Sequence, residues 1–357
     1  MCLSGEEVEL KSAIEQCAGA NRILILKTNL LGDVLNFLPV ANFFRKFAGS
    51  AKISWLVSRT GYPVVSELAE VDEILLLDDK LLYNYGDLFR IAGWLREKPY
   101  DLLVTSYQEE CFLIGSLAFL SRARIRIGSN FRNRGWFFNI KIPKGGAKRR
   151  VEINGQIIRT LGGKLEDFIY VPRASAKGQA EFEARLLREF GLKKEDAFCV
   201  LHLFSNKPTK SWRMEYGEEL IRRIQEELLL IPVLVGSEEE TKRFGDDQRN
   251  LGLINLTGQI NLLELYYLLK RAKLFIGIDS FPLQLTEFCG TKAIALFGST
   301  DADENQVPVA ELVKAEVECA PCWPAKTECD QGYKCWLELL PDRILESARR
   351  VLVNSGA

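Results

Sequence analysis

The chain has 357 residues, 47% of them apolar and 27% charged, with a formal net charge of −1. That length suggests two domains, each able to bury its own core, and the composition is that of a soluble globular protein, not a disordered or membrane-spanning one. Nine cysteines, five of them scattered singly, argue against a secreted disulfide scaffold. Met1–Gln16 is polar and acidic and lacks a signal-peptide pattern, so a cytoplasmic location is expected.

In chain order, a helical extension over Glu6–Cys17 leads into a compact strand, Arg22–Lys27, a polar turn through Gly32 and Asp33, and a helical pattern over Val34–Phe47. Strands follow at Lys52–Val57, Glu73–Leu77, Tyr100–Val104 and Ala123–Gly128, alternating with helical patterns at Val64–Leu68, Leu82–Lys98 and Leu113–Leu120. This alternation predicts an α/β, doubly wound parallel sheet. The turn at Gly32-Asp33 has no G-x-G-x-x-G fingerprint, which argues against a dinucleotide cofactor.

Between Arg122 and Arg150 the chain carries ten Arg or Lys and no Asp or Glu, interleaved with Phe131, Trp136, Phe137 and Phe138. This window is either a solvated face or an attractor of anions such as a phosphorylated sugar or an anionic membrane. No zinc-finger, helix-turn-helix or RNP motif supports nucleic acid. Gly162–Lys177 reads as the inter-domain connection, so that residues 1–172 form a first domain and 173–340 a second.

The second half repeats the alternation. Strands are expected at Phe198–His202, Ile231–Val235 and Leu253–Asn255, and helices at Gly178–Phe190, Met214–Leu228 and Leu262–Arg271. Then comes FIGIDSFPLQLTEFCGTKAIALFGSTD, Phe275–Asp301. An uncharged strand ends at Asp279-Ser280, Pro282 suits a first helical turn, Gly290 stops the helix and Ala293–Phe297 is a second strand. This is either an ordinary capped crossover or a phosphate site at a helix N-terminus on the ligand edge of a parallel sheet. His202, the single histidine, reads as a satisfied structural residue. Cys319, Cys322, Cys329 and Cys335 lie within 17 residues, a spacing that fits a structural zinc or iron site or a set of free, redox-labile thiols. A final helix, Pro341–Asn354, is expected to cross back to the first domain.

Four ordered blocks then carry a resemblance. RILILKTNLLGDVLNFLPVANFFRK, VLHLFSNKPTKSWRMEYGEELIRRI, the stretch from Phe275 to Asp301 and CAPCWPAKTECDQGYKCW are similar to the signatures of the bacterial heptosyltransferase family, glycosyltransferase family nine. They run from Arg22 to Trp336. The resemblance implies the GT-B architecture, two Rossmann-like domains facing across a cleft. It implies an inverting, metal-independent transferase that moves a heptose from a nucleotide diphosphate sugar, ADP-heptose, to an anionic glycolipid of the lipopolysaccharide-core type. That acceptor would be met at the inner face of the cytoplasmic membrane, through the basic window.

By position, Asp33 matches the family's general base, although it equally suits a helix N-cap. Lys210 matches a diphosphate-binding lysine, with Gly32, Ser205, Asn206, Thr209 and Trp212 beside these two. Glu238 matches a ribose-binding glutamate and Ile260 an apolar position near the base. Asp279, Ser280, Phe281, Pro282 and Gln284 fall on the donor loop, where the family usually has glycine at Phe281 and histidine at Gln284. These two departures leave open another donor, a protein acceptor or a non-catalytic nucleotide-sugar-binding protein.

Overall fold

The structure is a computed structural model, and it describes residues 14–28, 30–78, 85–106, 112–129, 135–143, 145–241, 251–322, 326 and 328–353. The chain divides into two units, Met1–Arg173 and Ala174–Ala357.

The first unit is a six-stranded parallel sheet. Its strands are β1 (Arg22–Leu26), β2 (Lys52–Ser58), β3 (Glu73–Leu77), β4 (Leu102–Thr105), β5 (Ile125–Ser129) and β6 (Ile140–Ile142), in spatial order β3-β2-β1-β4-β5-β6. The helices are α1 (Leu31–Leu35), α2 (Leu38–Phe47), α3 (Tyr62–Leu68), α4 (Tyr85–Glu97), α5 (Phe112–Leu120) and α6 (Arg150–Thr160). β1 is central because it has nothing polar to expose: Ile23 pairs with Ile53 on one side and Leu102 on the other, and Ile23–Leu26 are fully buried.

Two expectations need correcting. The helix expected over Val34–Phe47 is broken at Asn36-Phe37, since Pro39 lacks the N–H that would continue it and sits instead in the first turn of α2. Ile140–Ile142, read as part of the basic surface, is the edge strand β6, with Lys141 outward between two buried isoleucines. Of the helix expected over Glu6–Cys17, the part before residue 14 lies outside the described residues.

The second unit repeats the plan. Its strands are β7 (Phe198–His202), β8 (Ile231–Leu234), β9 (Ile254–Asn255), β10 (Leu274–Ile278), β11 (Ala293–Phe297) and β12 (Ala310–Lys314), all parallel, in order β12-β11-β10-β7-β8-β9. The helices are α7 (Ala176–Phe190), α8 (Met214–Leu228), α9 (Glu238–Thr241), α10 (Leu262–Arg271), α11 (Phe281–Cys289), α12 (Ala302–Asn305), α13 (Lys334–Leu337) and α14 (Pro341–Val353). Their ends follow local rules: Ser175 caps α7 through the Gly178 N–H, Gly191 closes it in the left-handed region, and Asn261 with Glu264 forms a capping box on α10. α14 packs on α8 beside β11 and β12, and Asp342 pairs with Arg223 at 2.7 Å.

Both sheets therefore have the strand order of a doubly wound nucleotide-binding unit, with a switch point between β1 and β4 in the first and between β7 and β10 in the second. Residues at the carboxyl ends of those strands occupy the positions where such sheets bind ligands. Among the described residues no helix is long and apolar enough to cross a membrane.

Candidate functional site

At the switch point of the first unit, β1 runs into Lys27 and Thr28, both buried, and then into α1. Gly32 and Asp33 are the second and third residues of that helix, and Leu30 occupies the cap position. The N-cap role weighed for Asp33 is thus taken by another residue. Instead, the Asp33 carboxylate accepts a hydrogen bond from the guanidinium of Arg150, the first residue of α6. Asn154, one turn further along α6, donates to the Asn36 carbonyl at 3.3 Å and ties α6 to the end of α1. The acid is mostly buried and held in orientation by its cation.

Arg150 also shows that the basic window is not one surface. Arg126 donates to the carbonyls of Phe137 and Ala123, each at 2.8 Å, and lies over the Phe119 ring. Arg149 lies 3.5 Å from Glu152. Phe137 and Phe138 are core residues, seated where a Cβ on Gly115 or Gly128 would collide with their rings. What remains exposed is Arg122, Arg124, Lys141 and Lys148, with Trp136 at 58% exposure beside the exposed rings of Phe112 and Phe119. Phe131, Arg132, Arg134 and Lys144 lie outside the described residues.

The second unit brings together three loops that follow adjacent strands. After β7, a turn of 3-10 helix at Pro208–Lys210 presents Lys210, whose Nζ lies 3.9 Å from Asp279 Oδ2 after β10. That turn is anchored from below. The indole N–H of Trp336 donates to the Thr209 carbonyl at 2.7 Å, and that of Trp212 donates to the Leu339 carbonyl at 3.0 Å. Thr209 and Trp212 are buried, so they shape the loop, while the Ser205 N–H donates to Ser211 Oγ at 3.0 Å and fixes where the loop begins.

Beyond Asp279, Ser280 occupies the cap position of α11 in an extended conformation, but its hydroxyl does not cap the helix. The hydroxyl bonds back to the Ile278 carbonyl at 3.0 Å and to His202 Nδ1 at 3.0 Å. The first-turn N–H groups of α11 therefore point toward the loop without a side-chain cap, although Pro282 in that turn contributes none. Phe281 and Gln284 are half-buried on the same turn.

After β8, Ser237 and Glu240 form a reciprocal cap on α9. The Ser237 N–H donates to Glu240 Oε2 at 2.8 Å and the Glu240 N–H to Ser237 Oγ at 3.4 Å. Glu240 Oε2 also lies 3.4 Å from His202 Nε2. Burial pushes the Glu240 carboxyl up, but the bond and charge of His202 and the Ser237 N–H outweigh it, leaving the group below the ordinary carboxylate range. Gly236 leaves room for this, since a Cβ there would lie 2.7 Å from Glu240 Oε2. Glu238 is exposed, and the loop carrying Ile260 passes close to it: the Gly258 N–H bonds to the Gly236 carbonyl at 2.9 Å, and a Cβ on Gly258 would touch Glu238.

Sequence reading placed Lys210, Asp279 and Ser280 on one site, and they meet. It read His202 as a satisfied structural residue, and the ring has Ser280 and Glu240 as partners; it missed Glu240 and the partnership of Arg150. The Ser237-x-x-Glu240 capping signature could have revealed Glu240; nothing local marks Arg150, 117 positions from Asp33.

The four clustered cysteines sense one another. Burial, then Cys319 and Cys329, raises the Cys322 thiol, and burial, then Cys319, pushes Cys335 up to about 11. Among the described residues, however, no group of three or more His, Cys, Asp or Glu is disposed to hold a metal ion. The thiols as placed do not fit zinc or iron, and no chemistry is derived from them.

The model of glycosyltransferase family 9 (heptosyltransferase) matches residues 88–332. Lipopolysaccharide heptosyltransferase 3 of Escherichia coli K12 is 24% identical over 338 residues, covering 91% of this chain and 96% of that protein. A family 9 glycosyl transferase from Veillonella parvula superposes with a TM-score of 0.73 at 17% identity, covering 94% of this chain and 97% of that one. The E. coli ADP-heptose lps heptosyltransferase II superposes at 0.68 and 18% identity, covering 94% and 100%. These likenesses identify the fold as that of the GT-B transferases.

Proposed function

Because this chain belongs to glycosyltransferase family 9, the heptosyltransferases, we propose that it transfers heptose from ADP-heptose to an anionic glycolipid of the lipopolysaccharide-core type, with inversion. The observation that carries this reading is the meeting of Lys210, Asp279 and the start of α11 at the β7/β10 switch point. A cation and a row of helix N–H groups at that edge suit a diphosphate.

In this reading Asp33 removes the proton from the acceptor hydroxyl as its oxygen attacks the anomeric carbon, and the bond from that carbon to the diphosphate breaks. Arg150 holds the carboxylate toward the hydroxyl. The negative charge that develops on the departing ADP falls on Lys210 and the α11 N–H groups. Asp279, 3.9 Å away, holds Lys210 at this edge. Glu238 and Ile260 take the ribose and the base. In this reading the transfer uses no metal ion, and Lys210 and the α11 N–H groups oppose the charge on the departing diphosphate.

The exposed cations Arg122, Arg124, Lys141 and Lys148 receive the acceptor's anionic groups, at the cytoplasmic face of the membrane. The test is incubation of the chain with ADP-heptose and a heptose-deficient core glycolipid, followed by mass spectrometry. A heptose added to the glycolipid supports the proposal. ADP release without a glycosylated product, or transfer only from another nucleotide sugar, replaces it with a different donor or acceptor. Phe281 at the first position of α11, where the family usually has glycine, is the specific reason to include other donors.

A further inference from the structure

One face of the first unit's sheet is covered by α4, α5 and the turn of 3-10 helix at Gly135–Phe137, and the outer side of that layer is aromatic. α5 carries no charged residue. Its inner face buries Leu113, Ile114, Leu117 and Ala118. Its outer face, where a surface helix usually turns polar groups to water, shows Phe112 and Phe119. Trp136 lies between them, its ring centroid 6.4 Å from that of Phe112 and 6.3 Å from that of Phe119, and it stacks on the buried Phe137. α4, packed beside α5, adds Phe89 and Trp94. These five rings are each between 36% and 68% exposed, and an apolar surface of that kind marks a place where something docks.

The charges around the rings are almost all of one sign. Arg126 lies 5.6 Å from the Phe119 centroid and donates to the carbonyls of Phe137 and Ala123, and Arg96 on α4 donates to the Leu120 carbonyl at 2.6 Å. Carbonyl partners hold a guanidinium in place without cancelling its charge. Arg90 on α4, and Arg122 and Arg124 beyond α5, are exposed. Against these cations the described side chains of the layer offer one acid, Glu97. Asp101, before β4, has its carboxylate on the N–H groups of Asn21 and Arg22. An aromatic face ringed by arginines matches a bilayer surface, where amphipathic rings settle at the headgroup level and cations meet phosphates. A second copy of the chain fits poorly, because a two-fold contact on this face would set the arginines against their own kind.

We infer that this outer face docks on an anionic phospholipid bilayer, with Phe89, Phe112, Phe119 and Trp136 seated among the headgroups and Arg96, Arg122, Arg124 and Arg126 on their phosphates. The inference deepens, and rests on, the reading of the first unit as the half that meets a membrane-held acceptor. α5 returns from the carboxyl edge of β4 to the amino edge of β5, so Phe112 lies at the edge of the sheet that also carries Asp33. Docking on this face sets that edge along the lipid surface, where a glycolipid presents its sugars. Arg122 and Arg124 then meet phosphates of either source, lipid or acceptor, and the test separates the two.

The test is flotation with vesicles that contain no acceptor, made of phosphatidylcholine alone or with about a third phosphatidylglycerol. The unmodified chain should float with the anionic vesicles, and raising the salt from about 0.05 M to about 0.5 M should release much of it. Phe119→Ser with Trp136→Ser should lower partition by about tenfold or more, the scale of one buried aromatic side chain. Arg122→Gln with Arg124→Gln should lower it by about thirtyfold, the worth of two cations at such a surface. The aromatic double variant should keep its rate on a delipidated, water-soluble acceptor and lose rate on acceptor held in vesicles, a split that a merely destabilised chain would not show. Unchanged partition in both double variants, or flotation of the unmodified chain only when the vesicles contain the acceptor glycolipid, overturns the inference and leaves the transferase reading standing. Flotation that the variants abolish, in a chain that transfers no sugar, keeps the docking surface and overturns the transferase reading instead. A dimer that the aromatic double variant splits, with no flotation, assigns the face to a second copy and overturns the inference too. Should that variant fail to fold, Phe89→Ser, at the most exposed of the rings, decides by the same loss of partition.

Discussion

At the carboxyl edge of β1 the first unit presents, among the described residues, an acid paired with a cation, Asp33 with Arg150. At the matching edge of β7 the second unit knits three loops together through Lys210–Asp279 and Ser280–His202–Glu240, over a floor of buried indoles. The strand order is the same in both. The scaffold therefore decides where a site lies, and the loops decide what it does: a single oriented carboxylate suits proton removal, and a braced ring of N–H groups and a cation suits holding an anion.

This contrast can be broken by mutation. The largest effect should come from Asp33→Asn, which loses about a thousandfold in turnover while ADP-heptose affinity, measured by calorimetry, changes less than about twofold. A matching loss of affinity would remove the division of roles. Next, Trp336→Ala empties the floor of the second site and frees the Thr209 carbonyl, at a cost of about 3–5 kcal/mol in urea unfolding. A loss below about 1 kcal/mol would show that the loop after β7 needs no such anchor. Lys210→Ala should weaken donor binding by about a hundredfold, the scale of a lost charge-assisted contact, with the melting temperature unchanged. Arg150→Ala should reduce turnover by about tenfold without touching donor affinity; an increase in turnover would mean that Arg150 restrains the base.

The smallest effect is on the sheet itself and serves as a control. Burial raises the Asp72 carboxyl, yet hydrogen bonds from Arg45 at 2.7 Å and from the Ile53 N–H outweigh it, so it titrates below the ordinary value. A folded-state value below the unfolded one stabilises above the unfolded pKa and is lost as pH falls through the folded one. Asp72→Asn, partly exposed, should cost about 0.5–1 kcal/mol at neutral pH and nothing near pH 2, without altering either site.

Much of this was legible in the residues. The uncharged runs Ile23–Leu26 and Leu274–Ile278 could only be central strands, and Asp279-Ser280 before Pro282 marked a helix start at the ligand edge. The edge strands β6 and β12 were missed because three to five residues with one exposed face carry little periodic signal. The break at Asn36-Phe37 was missed because an apolar pattern continues through a proline that only shifts the helix start. Within the sites, His202 looked structural because a lone histidine ending a strand usually is. Its partners Ser280 and Glu240 lie 78 and 38 positions away, and no local pattern reports such a meeting. Trp212 and Thr209 stood beside Lys210 in sequence, yet both are buried, Trp212 bonded to the Leu339 carbonyl and Thr209 to the Trp336 indole, contacts 127 positions away that no local pattern reports.

The central claim is that the nucleotide sugar docks on the three braced loops of the second unit. Hydrogen exchange of the chain with and without saturating ADP-heptose tests it directly, peptide by peptide. The account predicts the strongest protection in residues 203–212, 236–241 and 279–285. Exchange there that stays unchanged in the saturated complex, with protection appearing elsewhere, would contradict it.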